Sequence, residues 1–441
     1  MGLLGRIWLG TGARALRDAA ASLEASQELP PAALAAHQEN LLAALVHHAH
    51  RGSPSWRARI DAAGGPGVAG TLAGLAVLPL MGRADLLRPD AVVGPREALV
   101  SRTTGGTTGA PVEILVDPAS NLFQLADHLR CGRWIGLEPG DRHVLVWGVP
   151  TARSGYTSAR GRVRALARGR LVVPMGSLER RSPAAWRRLL AAWRPRYLAG
   201  FPTGLDRLAR HLDAAGLALP VAASVAWAEQ VFEHQREAVR RAFRVDLHDR
   251  YGCNEFTTVA HTCRCHGLHL LADRLVVEVL RGGRPAAPGE PGELVVTDLR
   301  SFGMPLIRYR TGDLARAGSG PCRCGLGLPL LGSLEGRVQD AMRDREGGLI
   351  LPRDWLRLAA GDPAGPGFAV HREAGGAVRV MLLPRADVSG VRDRLAGFVA
   401  ARLGEPMRFE RVEVLPLTPM GKTRWVRAEG PPVAGAGLED G

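Results

Sequence analysis

Lysine is all but missing from this chain. Of its 57 lysines and arginines a single one is lysine, Lys422, in the stretch PLTPMGKTRWV near the C-terminus. Arginine serves wherever a solvated positive charge is enough, but a planar guanidinium does not replace a compact ammonium that must reach a confined spot. A long apolar run is also lacking, which excludes a membrane-spanning helix. The opening MGLLGRIWLGTGARALRDAA is too broken for a secretory signal, so a cytoplasmic location is expected. In that compartment the six cysteines do not build a disulfide framework; they read as metal ligands, core residues or reactive thiols. Aromatic residues make up only 5%, and no nucleic-acid-binding signature accompanies the basic charge, which argues against a nucleic-acid partner. There is no internal repeat.

What is present is ordinary for a soluble globular protein: 441 residues, 46% hydrophobic and 23% charged, enough for two or three domains. Arginine is densest between Ala159 and Arg196. That stretch reads either as a basic face for an anionic partner (nucleotide phosphates, coenzyme A, an acidic carrier protein) or as a solvated helix face. Residues 15–50 carry the apolar spacing of two helices broken at LPPAAL. From about Ala98 to Glu335, short apolar runs such as HVLVWGV, RYLAGFP and VAASVAWAE alternate with helical segments such as GLDRLARHLDAAG. This alternation predicts an α/β architecture with layered sheets. LVVEVL, GELVVTDL and PLIRYRTGDL follow as closely spaced strands. A smaller unit beginning near Arg337 has strands in GFAVHRE, AVRVMLLP and RFERVEVL and a helix in VSGVRDRLAGFVAARLG. The expected organisation is a large multi-sheet N-terminal α/β domain over residues 1–336, a small α+β C-terminal lid over 337–430, and a disordered tail over 431–441.

Four further segments stand beside the lysine stretch. SRTTGGTTGAPVEI, residues 101–114, sets a Gly/Thr-rich loop after the apolar strand ALV; free backbone amides and hydroxyls there suit phosphate oxygens, while the plainer reading is a flexible hairpin turn. DRYGCNEF, residues 249–256, gathers an aromatic, a glycine and a glutamate in one turn, and IRYRTGDL, residues 307–314, is expected to end a strand on an aspartate. EGRVQDAM, residues 335–342, falls where the small unit begins.

In this order the five motifs resemble the adenylate-forming superfamily of acyl-CoA synthetases, peptide-synthetase adenylation domains and luciferases. TTGGTTGAP, AGFPTGL, MPLIRYRTGD and HHAHRGSPSWRARI resemble most closely the phenylacetate–CoA ligase family and its relatives in capsular-polysaccharide loci. The resemblance covers nearly the whole chain. It implies an enzyme that joins a carboxylate to the α-phosphate of ATP with release of pyrophosphate, then transfers the acyl group to coenzyme A. It implies that Thr104, Gly105, Gly106, Thr107, Thr108 and Gly109 hold the outer phosphates, with Thr108 taking part in catalysis. Tyr251 and Gly252 would pack on adenine, with Ala228 and Glu229 on the adenine side. Glu255 would bind Mg²⁺, Asp313 the ribose hydroxyls, and Arg337 the ribose and phosphate. Lys422 would enter from the lid and bridge the carboxylate and α-phosphate, a role that needs one point charge on a slim stem. This sequence departs from the superfamily pattern at Val112, where many members have lysine, at Cys253 and Asn254 before the glutamate, and at Gln339 before Asp340 at the hinge. The departures bear on the second half-reaction more than the first.

HTCRCHGLHL and GPCRCGLGLP each contain Cys-x-Cys, and with His266 and His269 they offer a soft ligand set for tetrahedral Zn²⁺. The family branch often carries a structural zinc here, which favours Cys322 and Cys324 with two of Cys263, Cys265 and His269. Unligated loop thiols are the plainer reading. Cys131 reads as core, and Cys253 as lining the nucleotide site. His47, His48 and His50 read as a solvated helix end, PSWRARI as a docking helix, and Trp134, Phe201 and Trp227 as packing or acyl-pocket residues. Two other functions fit the pattern: a ligase that passes the acyl group to an amine, hydroxyl or carrier-protein thiol, and a zinc-stabilised binding protein without activity.

Overall fold

Five apolar segments spaced by amphipathic helices build a parallel sheet, as the alternation predicts. In the computed structural model, which describes residues 11–103, 112–148, 159–359, 366–384, 390–418 and 422–429, its strands run in the order Arg170–Pro174, His143–Trp147, Tyr197–Gly200, Ala223–Trp227 and Leu247–Tyr251. Ala260–Thr262 and Leu268–Leu270 extend this sheet antiparallel to seven strands. One face is sealed by helices. Pro202–Asp213 buries Leu205, Leu208, Ala209 and Leu212, one stripe at helical spacing, against Val144, Val146, Leu198 and Ala226. The opposite face carries Leu145, Ala199 and Val225 with the part-exposed Trp147, Tyr197 and Trp227.

A five-stranded sheet, in the order Arg284–Pro285, Leu275–Arg281, Pro291–Asp298, Tyr309–Ala317 and Leu331–Arg337, packs into the largest core cluster. Asp313 sits in the middle of its Tyr309–Ala317 strand, not at a strand end as the sequence suggested. Cross-strand pairing with Leu331–Arg337 extends the ladder past it, and Asp313 faces Arg337 across the pair.

The third core belongs to the C-terminal part. Phe368, Val370, Val378, Val380, Leu395, Val399 and Val426 close around Trp355. Its four-stranded sheet runs Met407–Arg411, Val378–Leu382, Phe368–Arg372, Val426–Ala428, crossed by the helix Val391–Arg402. The strand Val426–Ala428 lies directly after the lysine stretch and parallel to Phe368–Arg372.

Two local expectations change. The strand before the Gly/Thr-rich loop is Val100–Thr103, exposed along most of its length, and ALV largely precedes it in a short 3₁₀ turn. It pairs antiparallel with Glu113–Val116, so the loop joins the two arms of a hairpin. PSWRARI forms the helix Pro54–Ala62, whose Trp56 and Ile60 are buried in the main core; the amphipathic face is spent internally and is not a docking surface. Among the described residues no helix is long and apolar enough to cross a membrane.

Candidate active site and cysteine cluster

The site forms where the parallel strands end, the place an open α/β sheet offers to ligands. The strand Leu247–Tyr251 delivers Tyr251, buried, whose hydroxyl donates to Asp313 Oδ2 at 2.7 Å. Asp313 Oδ1 is paired with Arg337 Nε at 2.8 Å. The beneficiary is Arg337, whose pKa rises because Asp313 stands beside it. Gly252 then starts a turn that no other residue could make: a Cβ there would sit 2.0 Å from the Thr257 carbonyl oxygen. The turn presents Glu255, which accepts from the Tyr309 hydroxyl at 3.2 Å. Asn254, one of the departures from the family pattern, donates to the Thr103 carbonyl at 2.8 Å. It ties this turn to the base of the Gly/Thr-rich loop.

A second anchor to that base escaped the sequence reading. Arg102 donates to Gln124 Oε1 at 2.5 Å, Thr257 Oγ1 at 2.6 Å and Asn121 Oδ1 at 2.7 Å. Thr257 is a β-branched residue held at φ +64°, an uncommon conformation that neighbours must enforce. No spacing rule points to Arg102 in an arginine-rich chain. Thr104, Gly105, Gly106, Thr107, Thr108 and Gly109 lie outside the described residues.

Ala228 adopts φ +72° between Trp227 and Glu229, a left-handed kink that ends the strand abruptly. Glu229 accepts from the Thr203 amide at 3.2 Å, in the first turn of the helix Pro202–Asp213, where free amides favour a carboxylate. Burial still pushes its pKa up, and its Oε1 is buried without a partner. The lysine stretch closes over it. The Thr418 amide donates to the Lys422 carbonyl at 2.8 Å and the Lys422 amide to the Thr418 hydroxyl at 3.2 Å, the Thr423 backbone lies near enough to Glu229 to favour its charged form, and Lys422 Nζ lies 5.5 Å from the centroid of Phe201. Desolvation lowers the lysine pKa, opposed by the field of Glu229. Trp425 meets Phe232 edge-on at 6.0 Å, and Arg424 pairs with Asp340 at 3.1 Å. The C-terminal part is therefore seated on the large one with Lys422 at the strand ends.

Away from this site the two Cys-x-Cys segments meet. The donor atoms of Cys263, His269, Cys322 and Cys324 all lie within 4.8 Å of one another. Cys263 Sγ and Cys322 Sγ are 3.6 Å apart, and Cys324 Sγ is 3.2 Å from His269 Nε2. His269 Nδ1 is occupied by the Leu328 carbonyl at 2.8 Å, which aims Nε2 at the thiols. Gly267 makes room, since a Cβ there would meet Cys322 Sγ at 2.7 Å. The thiol of Cys265 is not in the group; its backbone amide donates to Cys263 Sγ at 3.3 Å. His266 turns instead to Asp246 at 3.2 Å. Trp134 packs on His269 at 5.8 Å and bonds Gln27 at 2.9 Å, so it serves packing. Cys131 is buried in the main core, and Cys253 stands close enough to Glu255 to feel its charge. His47 is exposed, whereas His48 bonds the Phe302 carbonyl at 2.9 Å and His50 bonds Asp61 at 2.8 Å.

The AMP-binding enzyme family matches residues 15–299. The chain is 28% identical over 331 residues to the phenylacetate-coenzyme A ligase of Escherichia coli (strain K12), covering 70% of this chain and 72% of that protein. To the phenylacetate-coenzyme A ligase of Thermus thermophilus it is 29% identical, covering 72% and 73%. The fold is similar to that of 2-hydroxyisobutyryl-CoA ligase in its postadenylation state, with a TM-score of 0.69 at 19% identity over 92% of this chain and 91% of that one. The chain belongs to the AMP-binding enzyme family.

Proposed function

We propose that the protein activates a carboxylic acid with ATP and transfers the acyl group to coenzyme A. In the first step a carboxylate oxygen bonds to the α-phosphorus, the bond from that phosphorus to the bridging oxygen breaks, and pyrophosphate leaves. In the second the thiol sulfur bonds to the acyl carbon, AMP leaves, and the thiol proton passes to solvent. Two anions must approach in the first step, so the chemistry asks for placed positive charge more than for acid–base groups. The single observation that carries the reading is Lys422 at the strand ends, over Phe201 and within the fields of Glu229, Arg337 and Asp313.

Lys422 is the bridge between carboxylate and α-phosphate. Glu229 and the Thr203 amide hold its approach, Asp313 accepts the ribose hydroxyls, and Tyr251 and Gly252 flank the base. The Tyr251 and Arg337 contacts keep both Asp313 oxygens turned to one side until the nucleotide competes for them. Glu255, part-exposed beside the turn, fits a magnesium ligand and would neutralise phosphate charge through the ion. The donor set of Cys263, His269, Cys322 and Cys324 fits Zn²⁺: tetrahedral bonds of about 2.3 Å place sulfur atoms roughly 3.8 Å apart, close to the observed Cys263–Cys322 separation of 3.6 Å. With four protein ligands the ion would be structural, pinning two loops.

Incubating the protein with ATP and a panel of carboxylic acids, and recording pyrophosphate with and without coenzyme A, tests the proposal. Acid-dependent pyrophosphate and a coenzyme A-dependent thioester are expected. Pyrophosphate without thioester would move the acceptor to an amine, hydroxyl or carrier thiol, and none with any acid would overturn the reading.

A further inference from the structure

Basic residues outnumber acidic ones by 57 to 43, and Arg250 is one that the fold leaves beside a histidine and an aromatic ring. It stands at the C-terminal end of a central strand, beside Trp227 of the neighbouring strand. Its guanidinium lies over the Trp227 ring at 4.1 Å, and Nη1 donates to His128 Nδ1 at 3.1 Å. Among the described residues no carboxylate pairs with it, and the loops at 104–111 and 149–158 contain no Asp or Glu. Arginine is always a donor, so His128 accepts through Nδ1 and is the neutral tautomer with its proton on Nε2. Burial and the nearby Arg250 charge lower the His128 pKa, consistent with that form. Arg250, Trp227 and Trp147 are each part-exposed.

A chain of aromatic contacts links Arg250 to the lysine. Lys422 contacts Phe201, Phe201 lies 4.5 Å from Trp147, Trp147 lies 6.2 Å from Trp227, and Arg250 covers Trp227. An aromatic wall thus runs between a cation that meets the reacting carboxylate and a second cation at the far end. A desolvated cation without a counter-charge is costly, and a ligand anion relieves that cost. We infer that Arg250, with His128, is a specificity-determining pair that selects carboxylic acids bearing a second carboxylate at the distal end. The inference rests on the acid-activating reading above and names its substrate class.

The test uses matched probes, terephthalate against benzoate and adipate against hexanoate. Pyrophosphate release and, separately, calorimetric binding without ATP are measured for the wild type, Arg250→Met and Arg250→Lys. The wild type should favour each diacid by about tenfold or more in kcat/KM and in affinity. Arg250→Met should bring both ratios near one, and Arg250→Lys should keep part of the preference. Thermal unfolding of each variant separates a lost preference from a lost fold. Diacid-selective binding that disappears in Arg250→Met, without pyrophosphate release from any acid, would sink the ligase reading and leave this one standing. A wild type that prefers the monoacids, or an Arg250→Met variant that weakens both members of each pair equally, overturns it.

Discussion

Two charged regions lie on either side of the helix Pro118–Trp134, and they are built to opposite rules. On one side Arg130 pairs with Asp127 and Asp273, and Arg274 with Asp127 and Asp298, every side chain at most 1% exposed. Ser26 donates to Asp273, and the carbonyls of Leu23, Phe256 and Thr258 absorb further arginine donors. On the other side, at the strand ends, Glu229 keeps a buried oxygen without a partner and Arg250 has a histidine in place of a carboxylate. Fully ion-paired, with only Arg130 Nε left without a partner among its described guanidinium and carboxylate atoms, this network is a scaffold: it joins the helix Thr11–Ser26, the helix at 118–134, the strand Pro291–Asp298 and the turn after Tyr251. The unsatisfied set is pre-organised for groups that arrive with the substrates. Charge count alone separates neither; what the charges are paired with does.

Breaking the scaffold should have the largest effect. Arg130→Met leaves Asp273 buried with only Ser26 to answer it, and removing one member of a buried pair costs about 3–5 kcal/mol. Denaturant unfolding should show that loss; a change below about 1 kcal/mol would mean the two regions do not differ in kind. Lys422→Ala should do the reverse, with an unchanged unfolding midpoint and adenylation reduced on the order of a hundredfold or more, as for other transition-state charges. Asp313→Ala should raise the ATP concentration needed for half-maximal rate while the fold holds, read from initial rates and melting curves together.

The cysteine cluster stands between the extremes. Elemental analysis should find close to one zinc per chain, and Cys322→Ser should lower metal content and thermal stability together, because coordination and loop ordering share one free energy. Cys265→Ser should change metal content little. The smallest effect concerns pH. Desolvation lowers the Lys422 pKa below 10.5 and the Glu229 charge raises it. The charged lysine is the working form, so adenylation should fall as pH rises through a value below that of a free lysine. Glu229→Gln removes the opposing field and should shift this alkaline limb to lower pH. An unmoved limb would detach Glu229 from the lysine.

The sequence made the parallel sheet legible because apolar strands and striped helices alternate at regular intervals, as in HVLVWGV and the helix Pro202–Asp213. It also marked Lys422, Tyr251, Glu255 and Asp313, whose residue types recur in fixed motifs. Asp313 was misplaced within its strand because pairing with Leu331–Arg337 is a non-local event that no local pattern announces. Arg102, Arg250 and the Asp127–Arg130–Asp273–Arg274–Asp298 network stayed hidden for another reason. Their roles depend on burial and on partners up to 155 positions away, and in a chain with 56 arginines residue type carries no signal. Cys265 looked equivalent to Cys263 in sequence; only the turn that directs its backbone amide, rather than its thiol, toward the cluster tells them apart.

The central claim is that the strand ends are completed by one compact cation from the C-terminal part. Acid-dependent pyrophosphate release by Lys422→Arg tests it most directly, since charge is kept and shape alone changes. The predicted result is a loss of at least about tenfold, close to that of Lys422→Ala, with unfolding and AMP binding as in the wild type. Wild-type release by the arginine variant would contradict the account.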